Sequence, residues 1–89
     1  MAQLSIHNPA TGALIQTLSA DTAASVAAKA ESARQAQSAW AQTSLAHRVE
    51  IVAKFRAAVV AELETLAATL TAEVGKPISQ SRNELNGLL

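Results

Sequence analysis

The longest helical pattern in this chain lies in residues 45–77, LAHRVEIVAKFRAAVVAELETLAATLTAEVGKP. Its large apolar side chains recur about every 3.7 residues, close to the period of an α-helix: Val52, Phe55, Val59, Leu63, Leu66, Leu70 and Val74. The pattern ends where Gly75 can adopt the left-handed conformation and Pro77 prevents the helix from continuing. Neither Gly nor Pro interrupts the pattern before Gly75, so periodicity alone allows one helix over 44–74.

Upstream of this pattern, residues 21–41 also show the spacing of a helix, but most side chains on its inner face are small. Asp21 or Thr22 can cap the helix, because a short side-chain oxygen accepts the unpaired backbone N–H groups of the first turn. The inner stripe has large residues only at its ends: Val26, Ala30, Ala33, Gln37 and Trp40. This helix can therefore approach a neighbour closely but buries little apolar area in doing so.

The two ends of the chain carry different signals. Residues 3–18 place alternating apolar side chains around Asn8-Pro9-Ala10-Thr11-Gly12, a turn-forming sequence, and they predict a β-hairpin. Residues 79–89 predict the start of a further helix near Ser79 or Ser81, with Ser81 and Glu84 spaced as a capping box. The expected fold class is therefore mostly α with an N-terminal β-hairpin.

Composition indicates a chain with a weak core. It has 89 residues and a mass of 9.2 kDa, and 21 of its 44 hydrophobic residues are alanines, which each bury only a methyl group. A chain this short buries a small share of its surface, and without Cys it has no disulfide to compensate. The composition argues against a self-sufficient enzyme and favours an Ala-rich helical piece that packs on something else.

Charge and hydropathy exclude several kinds of partner. Seven basic residues balance seven acidic ones and aromatic residues make up 2% of the chain, so it offers nucleic acid neither a basic stripe nor a stacking platform. The longest apolar run, residues 57–61, is far shorter than a membrane span, and no basic residue precedes Lys29 as an export signal would require. We expect no nucleic acid and no membrane as partner, and a cytoplasmic location.

Few side chains can carry chemistry. The absence of Cys removes thiol nucleophiles and thiolate metal ligands. His7 and His47 are far apart in the sequence, and we expect two surface imidazoles rather than a metal or acid–base pair. Two pairs of opposite charge have the spacing of solvated ion pairs on a helix surface: Glu50 with Lys54, and Glu31 with Arg34.

The remaining candidates for a site also favour structural roles. Gly75-Lys76-Pro77 lacks the earlier Gly and the following Ser or Thr of a phosphate loop, and it ends a helix instead of opening one. Trp40 is expected to anchor the end of the first helix rather than to stack on a ligand. We therefore predict no catalytic, no cofactor-binding and no metal-binding residues in this chain.

Several short motifs follow one another along the chain: Asn8-Pro9-Ala10-Thr11-Gly12, Ala39-Trp40, Ala46-His47-Arg48, Glu73-Val74-Gly75-Lys76-Pro77 and Arg82-Asn83-Glu84-Leu85. Taken in this order, they resemble the N-terminal segment of the NAD(P)-dependent aldehyde dehydrogenase superfamily, and within it the bacterial succinate-semialdehyde dehydrogenases. The resemblance covers residues 6–85, and Val74 departs from it, since that position is commonly Thr in the family.

This resemblance implies that the chain is part of an α/β fold, as an outer hairpin-and-helix segment of the Rossmann-like cofactor domain. It also implies a break between two helices near 61–64. In the family a Cys thiolate attacks an aldehyde, hydride passes to NAD or NADP, and a Glu-activated water releases the acid. This chain has no Cys, and the family's Glu and its cofactor loops belong to segments that would follow Leu89.

We therefore expect an N-terminal fragment, or truncated product, of an aldehyde dehydrogenase. It would be inactive alone, bind no cofactor, and pack against the remainder of the polypeptide or self-associate through its apolar helix faces. Leu85, Leu88 and Leu89 would belong to such docking surfaces. The alternative is an autonomous helical module for protein interaction or dimerisation that uses the stripe from Phe55 to Val74.

Overall fold

The computed structural model describes residues 2–89, which form a two-stranded antiparallel hairpin followed by four helices. Its elements are β1 (Gln3–His7), β2 (Leu14–Ser19), α1 (Ala23–Ala41), α2 (Leu45–Ala61), α3 (Leu63–Val74) and α4 (Ile78–Leu88). The expected mostly helical chain with an N-terminal hairpin is confirmed. Among the described helices, none is long and apolar enough to cross a membrane.

The hairpin is shaped by its turn. The side-chain oxygen of Asn8 accepts hydrogen bonds from the backbone N–H groups of Ala10 at 2.8 Å and Thr11 at 3.3 Å, as an Asx turn does. Gly12 then adopts a φ of 76° and donates its N–H to the carbonyl of Asn8. The strands pair from Gln3 opposite Ser19 to His7 opposite Leu14, with a bulge after Ile6.

Helix α1 begins at a reciprocal cap. Thr22 accepts the backbone N–H of Ser25 at 3.1 Å, while the Ser25 hydroxyl accepts the N–H of Thr22 at 2.8 Å. Thr22 is therefore the capping residue, and Asp21 instead accepts hydrogen bonds from Ser25 and Lys29. No residue of α1 is buried, so the face of small side chains on this helix remains exposed in the structure.

The single helix that periodicity allows over 44–74 is interrupted at Glu62. The side chain of Ser44 accepts the N–H of His47 and so begins α2. Glu62, with φ −105° and ψ 10°, leaves helical geometry, and its N–H is shared between the carbonyls of Ala58 and Val59. The chain re-enters a helix one residue later with no side-chain cap. The residues around Glu62 are ordinary helix formers, which is why periodicity gives no sign of the break.

Helices α3 and α4 form a tight pair around a sharp corner. Gly75 has a φ of 84° and donates its N–H to the carbonyl of Thr71. A Cβ at Gly75 would lie 2.8 Å from Cγ of Pro9, so the tip of the hairpin rests on this corner. Helix α4 starts directly after Pro77.

The predicted capping box at Ser81 and Glu84 is wrong, because Ser81 lies inside α4. Ser81 is fully buried, and its hydroxyl shares a 2.8 Å hydrogen bond with that of Thr71 on α3. Glu84 pairs with Lys76 instead of capping a helix. Both hydroxyls are thus used to join two helices, a contact that local spacing cannot reveal.

The core is very small. Of the apolar residues in 2–89, only Val59 and Ala67 are buried. Sixteen large apolar side chains are exposed instead, and they are distributed over the hairpin and all four helices. Packing between elements is concentrated in the hairpin and in the pair α3–α4, so α1 and most of α2 have no extensive partner.

Candidate functional site

The structure does not gather the chemistry-bearing residues into a catalytic site. His7 ends β1, whereas His47 lies in the first turn of α2 beside Trp40, with ring centroids 6.5 Å apart. Across residues 2–89, no three His, Cys, Asp or Glu side chains are close enough to hold a metal ion. The two imidazoles are thus separate exposed groups.

The charged residues form solvent-exposed pairs. The predicted Glu50–Lys54 pair is confirmed at 3.3 Å, but the predicted Glu31–Arg34 pair is wrong, because Glu31 accepts a hydrogen bond from Gln35 instead. Their high exposure means that such pairs add little stability. The pKa of the Asp21 carboxyl lies below its ordinary value. The larger cause is the hydrogen bond that Lys29 donates to it, and the smaller cause is the hydrogen bond from Ser25.

Three ion pairs of the described residues were not predicted from the sequence: Asp21–Lys29, Lys76–Glu84 and Glu64–Arg82. Arg82 on α4 donates from Nε and Nη2 to the carboxylate of Glu64 on α3, at 3.0 and 3.1 Å. This hydrogen-bonded contact raises the pKa of the Arg82 guanidinium. The two residues are separated by 18 positions, so only the folding of α4 back along α3 brings them together. The pair joins α4 to α3 at the surface of the molecule.

The described residues do not fit a dinucleotide cofactor. Lys76, the cation of Gly75-Lys76-Pro77, pairs with Glu84 and is not free to receive a phosphate. The open groove between β2 and α3 has a floor of Ile15, Ala68 and Thr69, and two carboxylates line it, Glu64 and Glu73. Carboxylates so placed repel the diphosphate of NAD or NADP. We derive no step through a nicotinamide from these residues.

The most distinctive surface is apolar and follows one side of α2. Two open cavities, of about 360 and 260 Å³, share Val52 and join into one surface. We call this surface the α2 groove; it is formed by Leu45, Arg48, Val49, Val52, Phe55, Arg56, Val59, Leu88 and Leu89. Leu45 is 70% exposed and Phe55 is 62% exposed, although both are large apolar residues of the kind that normally pack. In its composition the groove resembles an interface that no other element of the described chain covers.

Arg48 is the unusual residue of this groove. Its side chain is partly buried, and its Nε is the one buried side-chain nitrogen or oxygen atom in residues 2–89 without a hydrogen-bond partner. Arg56 in the same groove is satisfied, because its Nε donates to the backbone oxygen of Leu89 at 3.3 Å. A buried guanidinium N–H that lacks an acceptor is unfavourable, and none of the described residues supplies one to Arg48 Nε.

The molecule exposes more surface than a compact protein of its mass. Its accessible area is 6717 Å², whereas a compact monomer of this mass exposes about 4,900 Å². Its radius of gyration is 17.4 Å, against about 12 Å for a globular domain of this length. With extents of 48 × 35 × 15 Å it is a layer little thicker than one helix. The excess area of about 1,800 Å² is similar in size to the area that one partner contributes to a large, permanent interface.

Comparison with known proteins identifies the family to which this sequence is similar. Residues 2–89 match the aldehyde dehydrogenase family. An N-succinylglutamate 5-semialdehyde dehydrogenase of Caulobacter sp. strain K31 is 33% identical over 87 residues, 98% of this chain and 18% of that protein. A probable succinate-semialdehyde dehydrogenase [NADP(+)] of Sinorhizobium fredii strain NBRC 101917 / NGR234 is 34% identical over 83 residues, 93% of this chain and 17% of that protein.

The similarity extends to a mammalian enzyme. The mitochondrial, acylating methylmalonate-semialdehyde/malonate-semialdehyde dehydrogenase of Mus musculus is 29% identical over 82 residues, which cover 92% of this chain and 15% of that protein. No solved structure gives a significant match. The chain thus spans less than a fifth of the length of these relatives. With nearly every residue inside the family match, the chain belongs to the aldehyde dehydrogenase family and corresponds to an N-terminal segment of it.

Proposed function

We propose that this chain is the N-terminal structural segment of an NAD(P)-dependent aldehyde dehydrogenase, and that it is inactive by itself. The parent reaction is oxidation of an aldehyde to the carboxylic acid. The bacterial relatives named above act on semialdehydes, and this favours an aldehyde that also carries a carboxylate, such as succinate semialdehyde. On this proposal the segment supplies none of the reacting groups.

The observation that carries the proposal is the uncovered apolar surface. A layer with two buried apolar residues and about 1,800 Å² of excess area cannot be held together by its own core. The surface has the size and composition expected where a domain was cut from a larger one. The remainder of an aldehyde dehydrogenase polypeptide would cover it, and this explains why helices with so few contacts of their own have a defined arrangement.

The chemical inventory supports an inactive segment. Oxidation of an aldehyde by the family's route needs a thiolate nucleophile, and this chain contains no Cys. The carboxylates Glu62, Glu64 and Glu73 are exposed or engaged in ion pairs rather than enclosed beside a nucleophile. Because cofactor and substrate would both bind elsewhere in the enzyme, the segment acts by completing the fold that holds them. A cytoplasmic location is part of the same proposal.

The alternative, an autonomous interaction or dimerisation module, agrees less well with the shape. Such a module would keep a compact core and present one apolar stripe. Here the proposed stripe from Phe55 to Val74 is divided by the break at Glu62, and large apolar side chains are exposed on the hairpin and on every helix. A surface open on many sides fits a layer within a larger enzyme better than a module with a single binding face.

The test is a chimera in which these 89 residues replace the matching segment of the Caulobacter enzyme. We expect the chimera to be soluble and to reduce NAD or NADP in the presence of N-succinylglutamate 5-semialdehyde, measured by absorbance of the reduced nicotinamide. The 89-residue chain alone, assayed in parallel with the same aldehyde and with succinate semialdehyde, should give no turnover. Turnover by the isolated chain, or a chimera that never assembles, would refute the proposal.

A further inference from the structure

Arg48 places a cation among the apolar side chains of the α2 groove. This restricts the chemistry of any segment that can cover the groove. Its Nε is buried without an acceptor, while Leu45, Val49 and Val52 surround it with exposed apolar side chains. The guanidinium keeps its charge at every physiological pH, so it cannot avoid the penalty by losing a proton. A partner that offered only apolar side chains would bury this charge completely and leave it uncompensated.

We infer that the α2 groove receives an amphipathic segment that carries a carboxylate between large apolar side chains, and that Arg48 binds this carboxylate. The inference rests on the proposed function, because the segment would come from the remainder of the aldehyde dehydrogenase polypeptide. A carboxylate is the matching acceptor, since its two oxygens fit the parallel N–H groups of a guanidinium. Residues 45–59 span about 21 Å along the helix axis, enough for four turns of an apposed helix.

A second copy of the chain does not fit the same groove. If two α2 helices packed antiparallel about Val52, Arg48 of one copy would lie beside Arg56 of the other. If they packed in parallel, Arg48 would lie beside its own equivalent. Either arrangement brings like charges together in apolar surroundings and discriminates against self-pairing. The charge of the groove therefore favours a partner of different sequence.

The chain's own carboxylates do not supply the missing acceptor. Glu50, the nearest in sequence, pairs with Lys54. Glu64 pairs with Arg82 and Glu84 with Lys76, both on the α3–α4 side of the molecule. With its neighbouring carboxylates engaged, Arg48 is left for an incoming group. Its role is to position the docked segment, and it takes no part in the oxidation of aldehyde.

The test uses the chimera described above with three substitutions. Arg48→Gln removes the cation and should lower the yield of soluble, active chimera at least about tenfold, because the incoming carboxylate is then buried without its partner. Arg48→Lys keeps the charge and should restore most of that yield. Arg34→Gln, at an exposed position of α1, is the matched control and should behave like the unsubstituted chimera.

Two further measurements identify the partner group and separate docking from a local structural role. In the Arg48→Lys chimera, a carbodiimide should join the introduced amine to an Asp or Glu outside these 89 residues, as found by mass spectrometry. In the isolated chain, Arg48→Met should maintain or raise the helical circular dichroism signal, because it removes a buried N–H that has no acceptor. A residue needed only for the local fold would lower it.

The outcomes separate the two proposals. If the unsubstituted chimera is active but Arg48→Gln leaves its yield unchanged, or the amine introduced by Arg48→Lys is linked only to this segment's own carboxylates, the Arg48 inference is wrong and the proposed function stands. If the unsubstituted chimera fails to assemble, the proposed function fails and the inference fails with it.

Discussion

Gly75 is the residue on which the arrangement of the helices depends most directly. Its φ of 84° is one that residues with a Cβ adopt at a penalty of about 1–2 kcal/mol. A Cβ there would also lie 2.8 Å from the ring of Pro9, so the hairpin would have to move. The same glycine therefore ends α3 and leaves room for the Pro9 ring of the hairpin turn to pack against the corner.

We predict that Gly75→Ala destabilises the isolated chain more than Gly12→Ala. Both glycines have positive φ, but a Cβ at Gly12 meets nothing within 4 Å. Gly12→Ala should therefore lose only the backbone term, about 1 kcal/mol, whereas Gly75→Ala adds the clash with Pro9 and should lose about 2–3 kcal/mol. The loss of helical circular dichroism signal at low denaturant, relative to the unsubstituted chain, ranks the two variants and requires no cooperative transition. Equal losses would show that the Pro9 contact is absent in solution.

Asp21 gives a second prediction at the scale of one residue. Hydrogen bonds from Lys29 and Ser25 hold the pKa of its carboxyl below the ordinary value. A depressed pKa in the folded state means that the contact contributes stability above the unfolded pKa, and that this contribution is lost as pH falls through the folded pKa. The start of α1 should therefore loosen only in acid, below the ordinary range of an aspartate.

The measurement is an NMR titration of the Asp21 carboxyl carbon. Lys29→Gln should raise its pKa toward the ordinary value, because Lys29 is the larger cause of the shift. Lys54→Gln, which removes an equally exposed lysine paired elsewhere, is the control and should leave the pKa unchanged. An Asp21 pKa that Lys29→Gln leaves unchanged would contradict the ion pair.

At the scale of whole elements, the helices differ in what holds them. The buried hydroxyl pair of Thr71 and Ser81 and the Glu64–Arg82 ion pair both join α3 to α4. Helix α1 has a good N-terminal cap but no buried residue, and a cap adds only about 1 kcal/mol. Local opening should therefore begin at α1, since protection follows burial and packing.

Hydrogen exchange tests this order. In the isolated chain, the amides of α1 should exchange faster than those of α3 and α4 at the same pH and temperature. Thr71→Val combined with Ser81→Ala removes the hydroxyl pair. The amides of α3 and α4 should then exchange faster while those of α1 change little, so the difference in exchange rate between them should become smaller. Equal protection of α1 and α3 would mean that α1 has a partner within the chain.

Elements that depend on neighbouring residues could be predicted from the sequence. The Asn8–Gly12 turn, a cap at Asp21 or Thr22, a helix start near residue 44 and the stop at Gly75 all act within a few residues of the backbone they shape. The break at Glu62 has no such local signal, because the residues around it are ordinary helix formers, and only the family resemblance implied a break near 61–64. The contact between Pro9 and Gly75 depends on tertiary structure.

The candidate site was predicted only in outline. The stripe of large apolar residues along α2 was visible from its spacing, and so was the expectation that apolar faces would dock on something else. The role of Arg48 was not visible, since its position within the family-like motif Ala46-His47-Arg48 gives no measure of burial. Only the tertiary structure reveals that its Nε lacks an acceptor and that Leu88 and Leu89 extend the groove.

At the scale of the whole molecule, shape determines how the chain should behave alone. A layer 15 Å thick exposes 6717 Å² and buries two apolar residues, so little free energy separates it from partly unfolded states. Its net charge is zero, so no electrostatic repulsion keeps exposed apolar faces of different copies apart. The hairpin face that exposes Leu14 and Leu18 lacks the arginines that disfavour self-pairing at the α2 groove.

We therefore predict that the purified 89-residue chain binds a hydrophobic dye and melts over a broad range without a cooperative transition. Its mass by light scattering should rise above 9.2 kDa as concentration increases. Leu14→Lys with Leu18→Lys should reduce this association by placing charge on the hairpin, whereas Arg34→Lys, which keeps the charge at an exposed position, should not. Fusion to the remaining four-fifths of a relative should abolish dye binding by covering the same surface. A monomer with a sharp melt would mean that these helices form a complete domain, and the layer would need another explanation.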